Sequence, residues 1–298
     1  MKILKNIAII LTASILISGV TPLSSFAASL KDSSVIQSTE LVASSTTFSS
    51  TDEAALYLKQ QIIQRNTNVS LTFSQPLPSI KDTINDLLAI ATEETGNGNE
   101  GDYIRYGING YNCQYGIQNG KYIINFTFVY FTNFAQEQAL SKKIDEVLLS
   151  LNLQGMSDYD KINAIYNYII KNVTYAKNFD DNIIFSAYGA LVNGVAVCQG
   201  YSQILYRMLM QSGISSRIIA GTYGESHAWN IAKIDNLYYL MDSTFDSAYV
   251  VLDYTPYFLK GSSDFDEESS SSSHVASTGN SQSPFFMPDY TATSFTQK

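Results

Sequence analysis

The fold of this chain is decided where it reads Gly194-Val195-Ala196-Val197-Cys198-Gln199-Gly200-Tyr201. From Tyr201 onward, apolar residues recur at helical spacing, and Gly213 stands where a helix would end. The apolar stripe consists of Tyr201, Ile204, Leu205, Met208 and Leu209. Cys198 lies three positions before Tyr201, so we expect it on the same stripe, in the first helical turn. Unpaired N–H groups at a helix start carry partial positive charge, which favours a reactive thiolate there.

Two predicted strands downstream carry His227 and Asp242. The strands span residues 227–234 and 237–244, with Asp235-Asn236 as a hairpin turn between them. A two-residue turn puts Thr244 opposite His227 and Asp242 opposite Trp229. Asp242 is then the diagonal neighbour of His227 on the same face of the sheet, within hydrogen-bonding reach. A turn longer by one residue would put the two side chains on opposite faces.

Cys198, His227 and Asp242 together supply the parts of a thiol catalyst. The thiolate attacks an acyl carbonyl, while His227 activates the thiol and then protonates the leaving amine or ammonia. Asp242 fixes the imidazole tautomer and supports its charge. A backbone N–H at the helix start is a candidate oxyanion donor. The side-chain candidates for oxyanion or substrate contacts are Tyr188, Gln199 and Trp229.

Three blocks of sequence together resemble the transglutaminase-like superfamily in its bacterial secreted form. The blocks are residues 186–201, 227–230 and 241–245. Members use a Cys-His-Asp triad in this order, which by position makes Cys198 the nucleophile, His227 the base and Asp242 the orienting acid. The resemblance covers roughly residues 157–258. It implies an α+β, papain-like cysteine proteinase core in which the nucleophile helix packs on an antiparallel sheet. Phe245 departs from the pattern, since many relatives place Trp there, and we expect the change to affect packing more than chemistry.

Each of these residues also has a purely structural interpretation. A lone cysteine is usually a small buried apolar residue, and an aspartate such as Asp242 near a strand end can be a cap. A disulfide between Cys113 and Cys198 is a further alternative, because two cysteines of a secreted chain can pair. His274 lies in a Ser-rich segment, where we expect it to be solvated. The joint order and context of the three residues favour catalysis over these alternatives.

The first 27 residues read as a secretory signal peptide. Lys2 and Lys5 precede an apolar run over 7–20 that is too short for a membrane span, and residues 25–27 offer a small-x-small cleavage site. Without the two lysines the chain has 16 basic and 27 acidic residues, a net charge of −11. Such an acidic balance argues against nucleic-acid binding. We expect a secreted protein, extracellular or associated with the cell wall, with no stable membrane span after signal removal.

Composition and periodicity divide the rest of the chain into three regions. They are a Ser/Thr-rich flexible linker at 28–50, a small α+β module at 51–134 and the catalytic domain at 135–298. Predicted strands of the module cover 69–73, 103–108, 113–117 and 122–131, with Asn119-Gly120 as a hairpin turn. In the catalytic domain we expect another strand at 254–259 and a mobile acidic, Ser-rich loop at 261–283. No metal-spaced Cys/His cluster or nucleotide-binding glycine motif is present, so we expect no metal or cofactor.

Two functions remain open from the sequence. The first is a secreted thiol enzyme that acts on amide bonds through an acyl-thioenzyme, as a peptidase or as a protein-glutamine transamidase or deamidase. Its substrate would be an extracellular protein or a cell-wall peptide. The second is a non-catalytic cell-surface or matrix binding module that retains the fold. Replacement of a triad member would favour this second function, and no triad member is replaced. A papain-type enzyme is disfavoured, because its histidine lies far downstream of its cysteine.

Overall fold

The computed structural model describes residues 13–15, 46–266, 272–277 and 287–297. The chain divides into two compact units, and the second unit takes residues 93–107 together with the chain from 131 onward. Apart from the strand at 13–15, the predicted signal peptide lies outside the described residues, as does the predicted linker up to residue 45. The predicted module and domain boundaries, 51–134 and 135–298, stay predictions.

The first unit is a five-stranded sheet accompanied by two helices. Its elements are β1 (Ala13–Ile15), β2 (Thr47–Phe48), α1 (Thr51–Ile63), β3 (Asn68–Phe73), α2 (Ile80–Ala91), β4 (Ile108–Gln118) and β5 (Lys121–Tyr130). The strand order is β1-β4-β5-β3-β2, antiparallel except for the parallel pair β2–β3. Asn119 and Gly120 take left-handed φ angles of 52° and 74°, as a tight hairpin turn requires. The predicted hairpin is therefore confirmed.

The second unit packs helices on a four-stranded antiparallel sheet. Its elements are α3 (Asp102–Gly107), α4 (Phe134–Leu151), α5 (Asp158–Asn172), β6 (Thr174–Tyr175), α6 (Ala187–Leu191), β7 (Val195–Ala196), α7 (Cys198–Gln211), β8 (Ser216–Tyr223), β9 (Glu225–Ile234), β10 (Leu237–Met241), α8 (Ser243–Asp246) and β11 (Val275–Ala276). The sheet order is β10-β9-β8-β11, and β6 pairs separately with β7. Every residue of α7 from 198 to 209 is buried, and the helix contacts β8, β9, α5 and α6. The predicted α+β class, with the cysteine helix on an antiparallel sheet, is confirmed.

The predicted strand at 103–108 is wrong, because residues 102–107 form α3. Asp102 is fully buried and accepts hydrogen bonds from Arg105 Nη1 at 2.8 Å and from Arg217 Nε at 2.7 Å. It also accepts from the backbone N–H of Ile218 at 2.9 Å. Tertiary contacts of this carboxylate thus fix a helical turn in a segment whose Tyr and Ile content favours a strand.

Three other segments differ from the expectations. Residues 254–259 form no strand; Leu259 has a φ of +51°, incompatible with extended backbone, and the first bridge to β10 is made by Lys260. The last part of the predicted linker, residues 47–48, forms β2. Within the predicted loop at 261–283, residues 275–276 form β11 on the edge of the sheet, while 267–271 and 278–283 lie outside the described residues. No helix in the described ranges has the length and apolar character needed to cross a bilayer.

Candidate active site

Cys198 is the first residue of α7. Val197 is the N-cap of α7, and its side chain makes no cap hydrogen bond. The N-cap side chain therefore does not satisfy the N–H groups at the helix start. Cys198 is 6% exposed, and both Cys198 and Cys113 are free thiols. The predicted position in the first helical turn is confirmed, and the disulfide alternative is wrong.

The β9–β10 hairpin has the predicted register for the five residue pairs that form. Leu237 pairs with Ile234 and Met241 with Asn230. Asp235 and Asn236 occupy the turn with φ angles of 48° and 68°, both left-handed. The pairing stops at Met241, however, so the predicted pairings of Thr244 with His227 and of Asp242 with Trp229 are both wrong. The chain leaves the sheet there because the next residue begins a helical turn.

Asp242 is the residue at which the chain leaves the sheet, and it also binds His227. Its Oδ1 accepts from the backbone N–H of Thr244 at 2.8 Å and of Phe245 at 3.1 Å, which caps α8. Its Oδ2 lies 2.6 Å from His227 Nε2. Asp242 is fully buried and His227 is 7% exposed. The cap interpretation of Asp242 and the site interpretation therefore both hold, with one carboxylate oxygen used for each.

Charge pairing dominates the electrostatics of this contact. Burial lowers the pKa of His227, but the charge and hydrogen bond of Asp242, with a smaller contribution from a hydrogen bond to Cys198, raise it to about 10. Burial alone would raise the pKa of Asp242, yet the charge and hydrogen bond of His227 hold it well below its usual range. Since Nε2 faces Asp242, Nδ1 is the ring nitrogen left for the Cys198 thiol. The arrangement suits a thiolate–imidazolium pair backed by a carboxylate.

Aromatic rings enclose the imidazole of His227. Phe245 stacks on it with a centroid distance of 4.7 Å and an interplanar angle of 20°. Trp229 lies 5.9 Å away on the same strand, nearly parallel at 24°. The position at which the chain departs from the family pattern, Phe245, is thus a ring that covers the histidine. Its role is in packing, as expected, although the partner is a site residue.

His274 also reaches this site, which the sequence did not indicate. Its side chain is 2% exposed, so the expectation of a solvated histidine is wrong. Nε2 lies 3.1 Å from Asp242 Oδ2, and Nδ1 lies 2.6 Å from Asp266 Oδ1. His227, Asp242 and His274 offer ligand atoms within 4.8 Å of one another, a spacing that a metal ion could use. Hydrogen bonds between ring N–H groups and carboxylate oxygens account for the close approach, and we assign no metal here.

A second buried carboxylate lies one helical turn from Asp242. Asp246 accepts from Tyr166 Oη at 2.6 Å and from the backbone N–H of Tyr257 at 3.1 Å. Burial raises its pKa to about 7, against the opposing effect of these two hydrogen bonds. Both partners come from outside α8, so Asp246 anchors this short helix and with it the capping residue Asp242.

The three candidates for oxyanion or substrate contacts have different surroundings. Gln199 Nε2 donates to the Tyr106 carbonyl at 2.8 Å, which ties the amide to the end of α3. Tyr188 is half-buried in α6. Trp229 is 2% exposed, and its Nε1 has no hydrogen-bond partner among the described residues. The oxyanion roles of all three stay predictions.

Tyr175 is the exposed aromatic side chain beside the cysteine. It is 44% exposed and lies on β6, which pairs with β7 immediately before Cys198. Burial of part of the ring raises its pKa to about 12, with further contributions from the negative charges of Cys198 and Glu225. Tyr175 was not among the predicted site residues, because its position beside Cys198 depends on the short parallel pair β6–β7.

Cys198 at the start of α7 thus lies beside His227, which pairs with Asp242 at the end of an antiparallel hairpin. Residues 149–243 match the model of the Transglutaminase-like superfamily, and the chain carries a domain of that superfamily there. The superfamily includes cysteine peptidases and transglutaminases.

Two known proteins illustrate the similarity. Kyphoscoliosis peptidase of Homo sapiens is 24% identical over 133 residues, which is 39% of this chain and 20% of that protein. The match therefore spans only a fifth of the relative's length. A crystal structure of a TGase is similar with a TM-score of 0.33 and 16% identity, over 62% of this chain and 56% of that one.

Proposed function

We propose that the protein is a secreted thiol enzyme that acts on amide bonds through Cys198, His227 and Asp242. The observation that carries the proposal is the buried 2.6 Å contact of His227 Nε2 with Asp242 Oδ2, which leaves Nδ1 to a cysteine at a helix start. The Cys198 sulfur attacks the amide carbon and forms a C–S bond. The C–N bond then breaks, and the departing nitrogen takes the proton held on His227, which leaves a thioester on Cys198.

The second half-reaction decides between the possible activities. Water or an amine attacks the thioester, and His227 accepts the proton of the attacking group while the C–S bond breaks. Water gives hydrolysis, which is proteolysis for a backbone amide and deamidation for a glutamine side chain. An amine gives transamidation. The curated relative is named a peptidase, which makes hydrolysis the branch to test first.

The test is the intact mass of a Gln-containing peptide incubated with the full chain and a primary amine. Chain cleavage indicates a peptidase, replacement of ammonia by water a deamidase, and replacement of ammonia by the amine a transamidase. Cys198→Ala should abolish every such change. The matched control is Cys113→Ala, which removes the other thiol from the β4 strand of the first unit. Mass changes that persist in Cys198→Ala would overturn the proposed nucleophile. A wild-type chain that produces no mass change would favour the non-catalytic binding module.

We also propose that the chain is exported and that its signal peptide is removed near Ala27 or Ala28. The basic start, the apolar run and the small-x-small site support this proposal. N-terminal sequencing of secreted material should return a residue close to Ala28. Material that begins at Met1 would contradict it.

A further inference from the structure

Asp242 receives a fourth polar contact that the three-residue site does not need. Its Oδ1 is occupied by two backbone N–H groups of α8, and its Oδ2 by His227. The additional contact to Oδ2 comes from His274 Nε2 at 3.1 Å, from a segment 32 residues further along the chain. Each carboxylate oxygen therefore has two partners, and the buried acid is fully satisfied.

His274 is itself held from its other nitrogen. Asp266 accepts from the His274 backbone N–H at 2.9 Å through Oδ2, and its Oδ1 lies 2.6 Å from Nδ1. Ionised carboxylates only accept hydrogen bonds. The two ring nitrogens of His274 therefore link the carboxylates of Asp242 and Asp266. Phe265 and Trp229 enclose the ring, with centroid distances of 4.4 and 4.9 Å.

The edge of the sheet at β8 has room for the segment that carries His274. β11 pairs with β8, with Ala276 opposite Gly221, and Gly221 on its other side pairs with His227. A Cβ atom at Gly221 would collide with the Val275 carbonyl oxygen and would lie 2.6 Å from the Trp229 ring. A glycine at this position therefore lets the strand that follows His274 come close to the strand that carries His227.

We propose that His274 is a positioning residue of the thiol site, which donates a hydrogen bond to Asp242 Oδ2 and holds this carboxylate in place throughout turnover. The inference rests on the proposed function. During the reaction His227 gives its proton to the leaving group and becomes neutral, so Asp242 loses the positive charge beside it. A buried carboxylate is costly without hydrogen-bond partners, and His274 supplies a hydrogen bond to Asp242 that is not consumed. The pKa of Asp242, held low first by His227 and then by His274, is consistent with this arrangement.

The test compares three substitutions of His274 that differ in the donor they keep. His274→Gln places an amide N–H near the position of Nε2 and keeps the donor to Asp242. His274→Asn places it near Nδ1 and keeps the donor to Asp266, while His274→Leu keeps neither. The probe is p-nitrophenyl acetate. The amplitude of the burst of p-nitrophenol counts the Cys198 sites that become acylated. The steady-state rate at saturation, divided by this amplitude, gives the deacylation rate per site, independent of KM.

We expect His274→Leu and His274→Asn to slow deacylation by about 10-fold, the size of loss that removal of an outer hydrogen-bond partner brings at metal sites. His274→Gln should stay within about threefold of wild type. A purely structural role would lower the burst amplitude in all three variants and leave the rate per site unchanged. Asp266→Asn is a further variant, which weakens the hold on His274 without changing residue 274 and should slow deacylation as well.

The outcomes separate the two proposals. A wild-type chain that gives no Cys198-dependent burst would overturn the proposed function. A normal burst with wild-type deacylation in His274→Leu, or in His274→Asn if the leucine variant gives no burst, would overturn only the role of His274. Deacylation in His274→Gln as slow as in His274→Asn would do the same.

Discussion

Asp242 is the residue on which the site depends, because it serves two structures at once. One of its oxygens ends β10 and starts α8, and the other orients His227. A strand-ending aspartate of this kind looks like an ordinary cap in a sequence. Its second role follows from the hairpin register, which brings it beside the histidine.

The substitution Asp242→Asn is informative because the two carboxylate oxygens of Asp242 have different partners. The asparagine oxygen must face the N–H groups of Thr244 and Phe245, so the amide nitrogen faces His227 Nε2. That ring nitrogen is then forced to accept, and the ring proton moves to the nitrogen that should serve Cys198. We expect kcat to fall by about 10⁴-fold, as the equivalent change does in a Ser-His-Asp triad.

Steady-state rates of Asp242→Asn should be compared with those of Asp180→Asn. Asp180 is exposed, so the same chemical change there should leave the rate near that of wild type. Full activity in Asp242→Asn would assign Asp242 to the cap alone.

The ion pair of His227 also predicts how stability depends on pH. Its pKa rises from 6.5 in the unfolded chain to about 10 in the folded protein, so the folded state keeps a proton that the unfolded state loses between these values. The stabilisation is complete below about pH 6.5 and is lost as the pH rises through about 10.

Urea unfolding of the wild type and of His227→Gln measures this effect. The difference in free energy of unfolding between the two should shrink steadily from about pH 6 to about pH 10.5, because other titrating groups cancel in the comparison. A difference that stays constant over this range would show that His227 is not paired as described.

At the scale of elements, the β9–β10 turn decides which face Asp242 approaches. Both turn residues have left-handed backbone, which matches the right-handed twist of a two-residue hairpin. The turn fixes the five cross-strand pairs that lead to Met241. The site geometry therefore depends on a surface turn that does not itself touch the site residues.

Asn236→Ala should lower the free energy of unfolding by roughly 1 kcal/mol, since a left-handed backbone costs most L-residues about 1–2 kcal/mol and costs asparagine less. Asn236→Gly, which tolerates the same φ, should be as stable as wild type. Chemical denaturation of the three proteins checks both expectations. Equal stability of Asn236→Ala and wild type would contradict the assigned turn.

At the scale of the whole molecule, local patterns predicted the parts of the site but not its full set of contacts. The stripe that begins at Cys198 and the Asp235-Asn236 turn are short-range signals, and they placed the cysteine helix and the hairpin correctly. His274 was missed because it reaches Asp242 through β11, and nothing in a Ser-rich segment indicates which sheet edge it joins. The helix α3 was missed for a similar reason, since the contacts of Asp102 that fix it come from distant residues.

The measurement that most directly tests the central claim is the rate of iodoacetamide labelling of Cys198 in the folded full chain at neutral pH. Cys198 should label faster than Cys113, whose pKa burial raises well above its ordinary value. His227→Gln is the matched variant, because it removes the proton acceptor and leaves Cys198 at the start of α7. The account predicts that labelling of Cys198 slows sharply in this variant. Equal labelling of the two cysteines in wild type, or an unchanged Cys198 rate in His227→Gln, would contradict it.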